Sequence, residues 1–234
     1  MKRATGVRLA LLALAVAPML ARAALVTAPE SGGSARLGFD AHPTQEITFG
    51  PVALTASDGR DVVFTAVDNF GAAGFSSDIY GLGNNGQWRN VDRSFAWVNG
   101  GAGGGADSSM LFTFVDGPVS SVGGFMNYVP SSSTNPYYDA SDFVLSALGR
   151  DGSVLERYAL ADDAPIVTTA TNNAGAYRGI ARSSADIYAF EIQGAGVIGY
   201  LDLAPLAAVP EPSTGALLLA GLAAFGFAVH RRRA

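Results

Sequence analysis

The chain has no cysteine among its 234 residues, which excludes disulfide frameworks, thiolate-held zinc, iron–sulfur clusters and thiol catalysis. Its two histidines, His42 and His230, are too few for a three-histidine metal site. Charged residues make up 15 % of the chain against 49 % hydrophobic, the reverse of a disordered composition. Lysine is absent after Lys2. Between residues 24 and 210 eight arginines face nineteen carboxylates, a net charge of −11. Nucleic acid requires a basic face, so no nucleic-acid partner is expected. Sustained 3.6-residue apolar periodicity is also missing from this middle region, while 29 glycines and 11 prolines supply frequent turns.

What is present is concentrated first at the two ends. Lys2, Arg3 and Arg8 precede an apolar run over residues 9–20, and Ala21-Arg22-Ala23 follows as the small-x-small pattern that a signal peptidase requires. The run is too short for a comfortable membrane span. Residues 1–23 are therefore expected to be a cleaved secretory signal peptide. At the other end, Pro210-Glu211-Pro212 is followed by residues 215–229, where glycine is the only non-hydrophobic residue type, and then by Arg231, Arg232 and Arg233. As a helix, this apolar stretch is about 22 Å long. That is short for a hydrocarbon core of about 30 Å, but snorkelling flanks and bilayer thinning accommodate it. A transmembrane helix is predicted over 214–229, with the arginines held on the cytoplasmic side. The prolines keep their segment extended and stop the helix from growing backward.

These three parts, in this order and at this place, resemble the PEP-CTERM sorting signal of Gram-negative bacteria over about the last 26 residues. The resemblance implies recognition by an exosortase, a membrane-embedded cysteine transpeptidase. It also implies cutting near the Pro-Glu-Pro and delivery to the cell surface or its exopolysaccharide. On that reading Pro210, Glu211, Pro212, Arg231, Arg232 and Arg233 form a sorting motif and not a catalytic site.

Between the ends, short β-prone pieces alternate with turns. They fall at 47–49, 52–55, 62–67, 110–115, 119–128, 143–148, 154–160, 166–171, 176–180, 187–192 and 197–203. Asp58-Gly59, Asp116-Gly117 and Asp151-Gly152 are turn signals, and a bulge or bend is expected at Gly123-Gly124. The fold predicted is all-β, an antiparallel jelly-roll-like sandwich over residues 36–205. A flexible lead-in at 24–35 precedes it and the sorting region at 206–234 follows. The strand pattern is similar to carbohydrate-binding-module-type sandwiches. That likeness implies a structural calcium between loops, with Asp40 or Asp202 contributing.

Catalytic constellations are scarce. Gly81 to Gly86 matches G-x-G-x-x-G, but no helix follows to present its N-terminus to a phosphate. The glycine-rich run 99–106 lacks the Lys-Ser/Thr ending of a phosphate loop. His42 is the one histidine between the ends and no G-x-S-x-G motif accompanies it, which leaves no serine triad. The pairs Asp58/Asp61, Asp139/Asp142 and Asp162/Asp163 sit in turn-like contexts where aspartate caps backbone. Trp88, Tyr128, Tyr137 and Tyr138 lie in or beside loops and are candidates for stacking on sugar rings, while Trp97, Phe112 and Phe114 are assigned to the core. The expectation is a non-enzymatic surface or matrix protein, structural or glycan-interacting. Its expected partners are signal peptidase, exosortase, the membrane at least transiently, and exopolysaccharide. A secreted polysaccharide hydrolase and a permanently anchored single-pass protein are the alternatives.

Overall fold

The structure, a computed structural model, describes residues 24–29, 34–47, 50–67, 72–77, 94–98, 108–128, 143–166 and 175–204. The predicted leader, the sorting motif, the tail helix, Trp88, Tyr137, Tyr138 and the runs 81–86 and 99–106 lie outside these residues. Among the described residues no helix is long and apolar enough to cross a membrane.

The described chain is almost entirely strand. In order these are β1 (Ala24–Val26), β2 (Ala35–Leu37), β3 (Gln45–Glu46), β4 (Val52–Thr55), β5 (Asp61–Val67), β6 (Ala73–Ser77), β7 (Ser94–Val98), β8 (Ser109–Phe114), β9 (Ser121–Tyr128), β10 (Val144–Leu148) and β11 (Val154–Ala159). The one-turn helix α1 (Leu160–Asp163) comes next, followed by β12 (Ala176–Ala181), β13 (Ala189–Gln193) and β14 (Gly196–Ala204). They build two antiparallel sheets. The first runs β1-β12-β9-β14-β7-β6-β3, with β2 also paired to β14, and the second runs β11-β10-β13-β8-β5-β4. The all-β class and the two-sheet architecture are those read from the sequence.

The reason for the layering is visible in the strands. In β5, Val62, Phe64 and Ala66 are buried and alternate with more exposed neighbours; in β8, Met110, Phe112 and Phe114 do the same. That period of two gives the second sheet one core face and one solvated face. Phe64 and Phe112 then meet Phe75 of β6 and Phe39 across the core, with centroid separations of 4.9 Å for Phe64–Phe75, 5.1 Å for Phe64–Phe112 and 5.5 Å for Phe39–Phe75. These rings tie the two sheets into one core.

Two expectations are corrected. Ala24–Val26, read as part of a flexible lead-in, is an edge strand paired with Ala181, Ile180 and Gly179; Leu25 packs on the core and supplies the apolar contact that seats it. The irregularity expected at Gly123-Gly124 lies on the partner strand instead, between Ile198 and Tyr200 of β14. The two glycines have a different use, because they let three backbones approach closely. A Cβ at Gly123 would lie 2.8 Å from the Tyr177 hydroxyl and 2.9 Å from the Gly179 Cα, and one at Gly124 would overlap the Tyr200 carbonyl oxygen.

The β12–β13 connection is held by charge. Arg182 donates through Nε and Nη2 to both carboxylate oxygens of Asp186, at 2.6 and 3.0 Å, and through Nη1 to Glu156 of β11 at 3.0 Å. The hydrogen bonds from Arg182 hold the Asp186 carboxyl below its ordinary value against partial burial, and the Ser184 hydroxyl adds to them. A carboxyl lowered in the folded state stabilises the fold fully above its unfolded value, and that contribution is lost as pH falls through the lowered one. Asp186→Asn is therefore expected to lose no more than about 1 kcal/mol at neutral pH, since the pair is partly solvated. The difference from wild type should shrink as pH falls below the ordinary carboxylate value of 3.8 and vanish below the lowered folded-state value. Urea unfolding at several pH values checks this, and a gap that persists in acid would contradict it.

Candidate functional site

The first sheet departs from simple alternation. Seven of the eight residues of β9 are buried, as are eight of the nine in β14, so these central strands are covered on both faces. The inward face carries Val122, Met126, Ile198, Leu201 and Leu203. The outward face carries a second, aromatic group. Register places Trp97 opposite Val197 and Val197 opposite Asn127, while Phe125 lies opposite both Tyr200 and Tyr177. Phe95, two residues before Trp97, shares its face and is buried; Trp97, Phe125 and Val197 pack against it and remain partly exposed. The Phe125 and Tyr200 rings are near parallel at 6.4 Å. The result is a partly open aromatic slot running across β7, β14, β9 and β12.

One end of the slot is fixed by an ion pair. Arg36 of β2 sits opposite Asp202, donating from Nε to Oδ1 at 3.0 Å and from Nη2 to Oδ2 at 3.3 Å. Its guanidinium carbon lies 3.8 Å from the centroid of Tyr200. Asp202 is only 4 % exposed, so the arginine offsets a desolvated charge while stacking on the tyrosine. The other end carries unmet hydrogen-bonding capacity. The indole Nε1 of Trp97 and the amide Nδ2 of Asn127 are buried and find no acceptor among the described residues. Asn127 is 1 % exposed, and its Oδ1 accepts from the Tyr128 backbone N–H at 2.9 Å. Trp97 and Asn127 thus flank Val197, with their backbones about 9–10 Å apart by two inter-strand spacings.

The residues proposed from sequence fare differently. Tyr128 does not offer a ring for stacking. It points into the core, 5.0 Å from Phe143, and its hydroxyl accepts the Ile166 backbone N–H at 3.2 Å. It follows Asn127 directly, so the pleat sends it to the opposite face. Trp97, assigned to the core, lies on the outer face with Phe95, whereas Phe112 and Phe114 are in the core. Trp88, Tyr137 and Tyr138 lie outside the described residues. The described ends of their connections are far apart: Ser77 and Ser94 lie toward the Ala204 end of the first sheet, and Tyr128 and Phe143 lie at the Gly196 end. Asp40 and Asp202 are not brought together, since both oxygens of Asp202 are taken by Arg36 and Asp40 is exposed in a turn after Phe39. Among the described residues no group of three or more His, Asp or Glu is placed to hold a metal ion. His42 is half-buried and stacks on Phe75 at 5.2 Å.

The described carboxyls whose ionisation is displaced move away from general-acid chemistry. Asp58 loses some ionisation tendency to burial, but the backbone N–H, side chain and charge of Arg60 outweigh this and hold it low. The Ser153 hydroxyl and backbone N–H hold Asp151 low in the same way. A glycosidase acid requires the opposite displacement.

A two-sheet fold whose sequence ends in Pro-Glu-Pro, an apolar run and arginines points to a class: an exported protein whose tail is an address. Residues 208–233 match the model of the PEP-CTERM protein-sorting motif, so the chain carries that signal and is marked for exosortase processing during export from a Gram-negative cell. No curated protein and no solved structure matches the chain. The likeness to carbohydrate-binding-module sandwiches remains one of strand pattern alone.

Proposed function

We propose that this is a surface or extracellular-matrix protein whose sandwich is non-enzymatic and holds neutral glycan in the aromatic slot of the first sheet. The observation that carries the reading is the pair of buried, unpartnered donors, Trp97 Nε1 and Asn127 Nδ2, set beside partly exposed rings. Sugar hydroxyls supply acceptors for such donors, and the apolar faces of sugar rings suit Trp97 and Phe125. The charge of −11 between residues 24 and 210 disfavours polyanionic chains and points to a neutral one. The low-held Asp58, Asp151 and Asp186 are unsuited to the role of a hydrolase's acid.

Trp97→Phe separates binding from folding. It keeps the ring and removes the unmet donor, so the ligand-free protein is expected to be as stable as wild type or about 1 kcal/mol more so. Affinity for a neutral exopolysaccharide fraction should fall by roughly five- to tenfold. Affinity electrophoresis and thermal melting read the two effects. Unchanged retention would remove the slot from the account. Release of reducing ends during incubation would favour the hydrolase alternative.

A further inference from the structure

Ala24 pairs with Ala181, Ala181 with Ser121, and Ser121 with Ala204. One transverse row of the first sheet therefore holds both the first residue after the predicted leader and the last residue of the last strand. Three inter-strand spacings separate them, about 14 Å. Nothing in the sequence places residues 24 and 204 in one row.

The leader end has no slack at this row, and it decides the orientation. No residue lies between Ala24 and the predicted cut after Ala23. Ala204 is pinned, its carbonyl accepting from the backbone N–H of Ser120 at 3.0 Å and from the Ser120 hydroxyl at 3.1 Å. Arg60 Nη2 donates to the Leu203 carbonyl at 3.0 Å. Beyond Ala204 the chain reaches Glu211 within about 25 Å and the first residue of the apolar run, Gly215, within about 40 Å, even when fully extended. The sandwich is about 30 Å long, judged from the nine residues of β14. If the row pointed away from the membrane, the leader side would have to run back along the whole sheet on residues 21–23 alone, which reach about 10 Å when extended.

We infer that the domain is presented to the membrane end-on, by the row Ala24–Ala181–Ser121–Ala204. The connections 99–107 and 129–142 leave from the opposite end, which points outward. The inference rests on reading the two termini as leader and sorting tail. The near end also carries the turns with Asp58, Asp116, Asp151 and Asp186 against Arg60, Arg150 and Arg182. Its acidic excess works against adhesion to anionic lipid.

The absence of cysteine makes a clean test. Val115 is 58 % exposed just beyond β8 at the near end, and Val67 is 50 % exposed at the far end of β5, opposite Ser109. Val115→Cys and Val67→Cys are each labelled with a donor dye in the full chain, with the leader retained through Ala23→Leu. The protein is then reconstituted in phosphatidylcholine vesicles bearing a headgroup acceptor dye. Energy transfer is expected to be at least twofold greater from position 115 than from position 67. Equal or reversed transfer overturns the orientation. If the chain fails to float with the vesicles, the membrane reading of the termini falls and the inference falls with it, and flotation reports that separately from transfer. Melting curves that match the unlabelled chain establish that both variants are folded.

Discussion

Replacing Pro210, Glu211 and Pro212 together by alanine is expected to stop tail removal completely and leave the protein in the membrane fraction. In such a variant the prolines no longer bar helix from spreading back through the segment, and the carboxylate is lost. An exosortase then meets neither an extended strand nor its acidic side chain. The sandwich itself should be unaffected, because its last strand closes at Ala204, six residues before the motif. Intact-mass analysis of the C-terminus, fractionation, and a melting curve separate these claims. Wild-type protein should lack everything beyond the motif, and the variant should retain the chain to Ala234 with an unchanged midpoint. Equal trimming of both would show that the match over residues 208–233 is not what the processing enzyme reads. An untrimmed wild-type protein would make the tail a permanent anchor.

Gly124→Ala is expected to destabilise the fold strongly. The new Cβ would overlap the Tyr200 carbonyl oxygen and come within 2.8 Å of Ile198 Cδ1, so the two central strands would have to part. Overpacking of this kind, against backbone that cannot rotate away, costs about 3 kcal/mol or more. In a domain of this size that lowers the melting midpoint by roughly 10 °C. Gly59→Ala is the control. Gly59 has φ of +88° in a turn with nothing within 4 Å of the added methyl, so only the left-handed backbone resists, at about 1–2 kcal/mol. If the two variants unfolded alike in urea, close strand approach would not be the reason for glycine at position 124.

How much of this was legible beforehand depends on the strand. β5 and β8 were plain, because VVFTAV and MLFTFV put every second apolar side chain on one face. β6 and β7 escaped notice. AGFSS and SFAWV are short and rich in small residues, and the large side chains of β7 point away from the core. β1 to β3 have only two or three residues each and gain their strand character from their partners. The aromatic slot left a trace that went unread. In FMNY the residues at both parities are large, which marks a strand covered on both faces, but parity alone does not say which face meets the other sheet. Tyr128 was misplaced for that reason. The sorting motif was legible because its signal is linear and needs no fold.

The placement of β14 has a consequence for export. β14, the last strand among the described residues, lies in the middle of its sheet, bonded to β9, β7 and β2, strands drawn from three distant parts of the chain. Until residues 196–204 have crossed the inner membrane, β9 and β7 have an empty lane between them and the sheet cannot close. Vectorial passage thus keeps the polypeptide pliable while it threads, and the keystone arrives only when little but the address remains to follow.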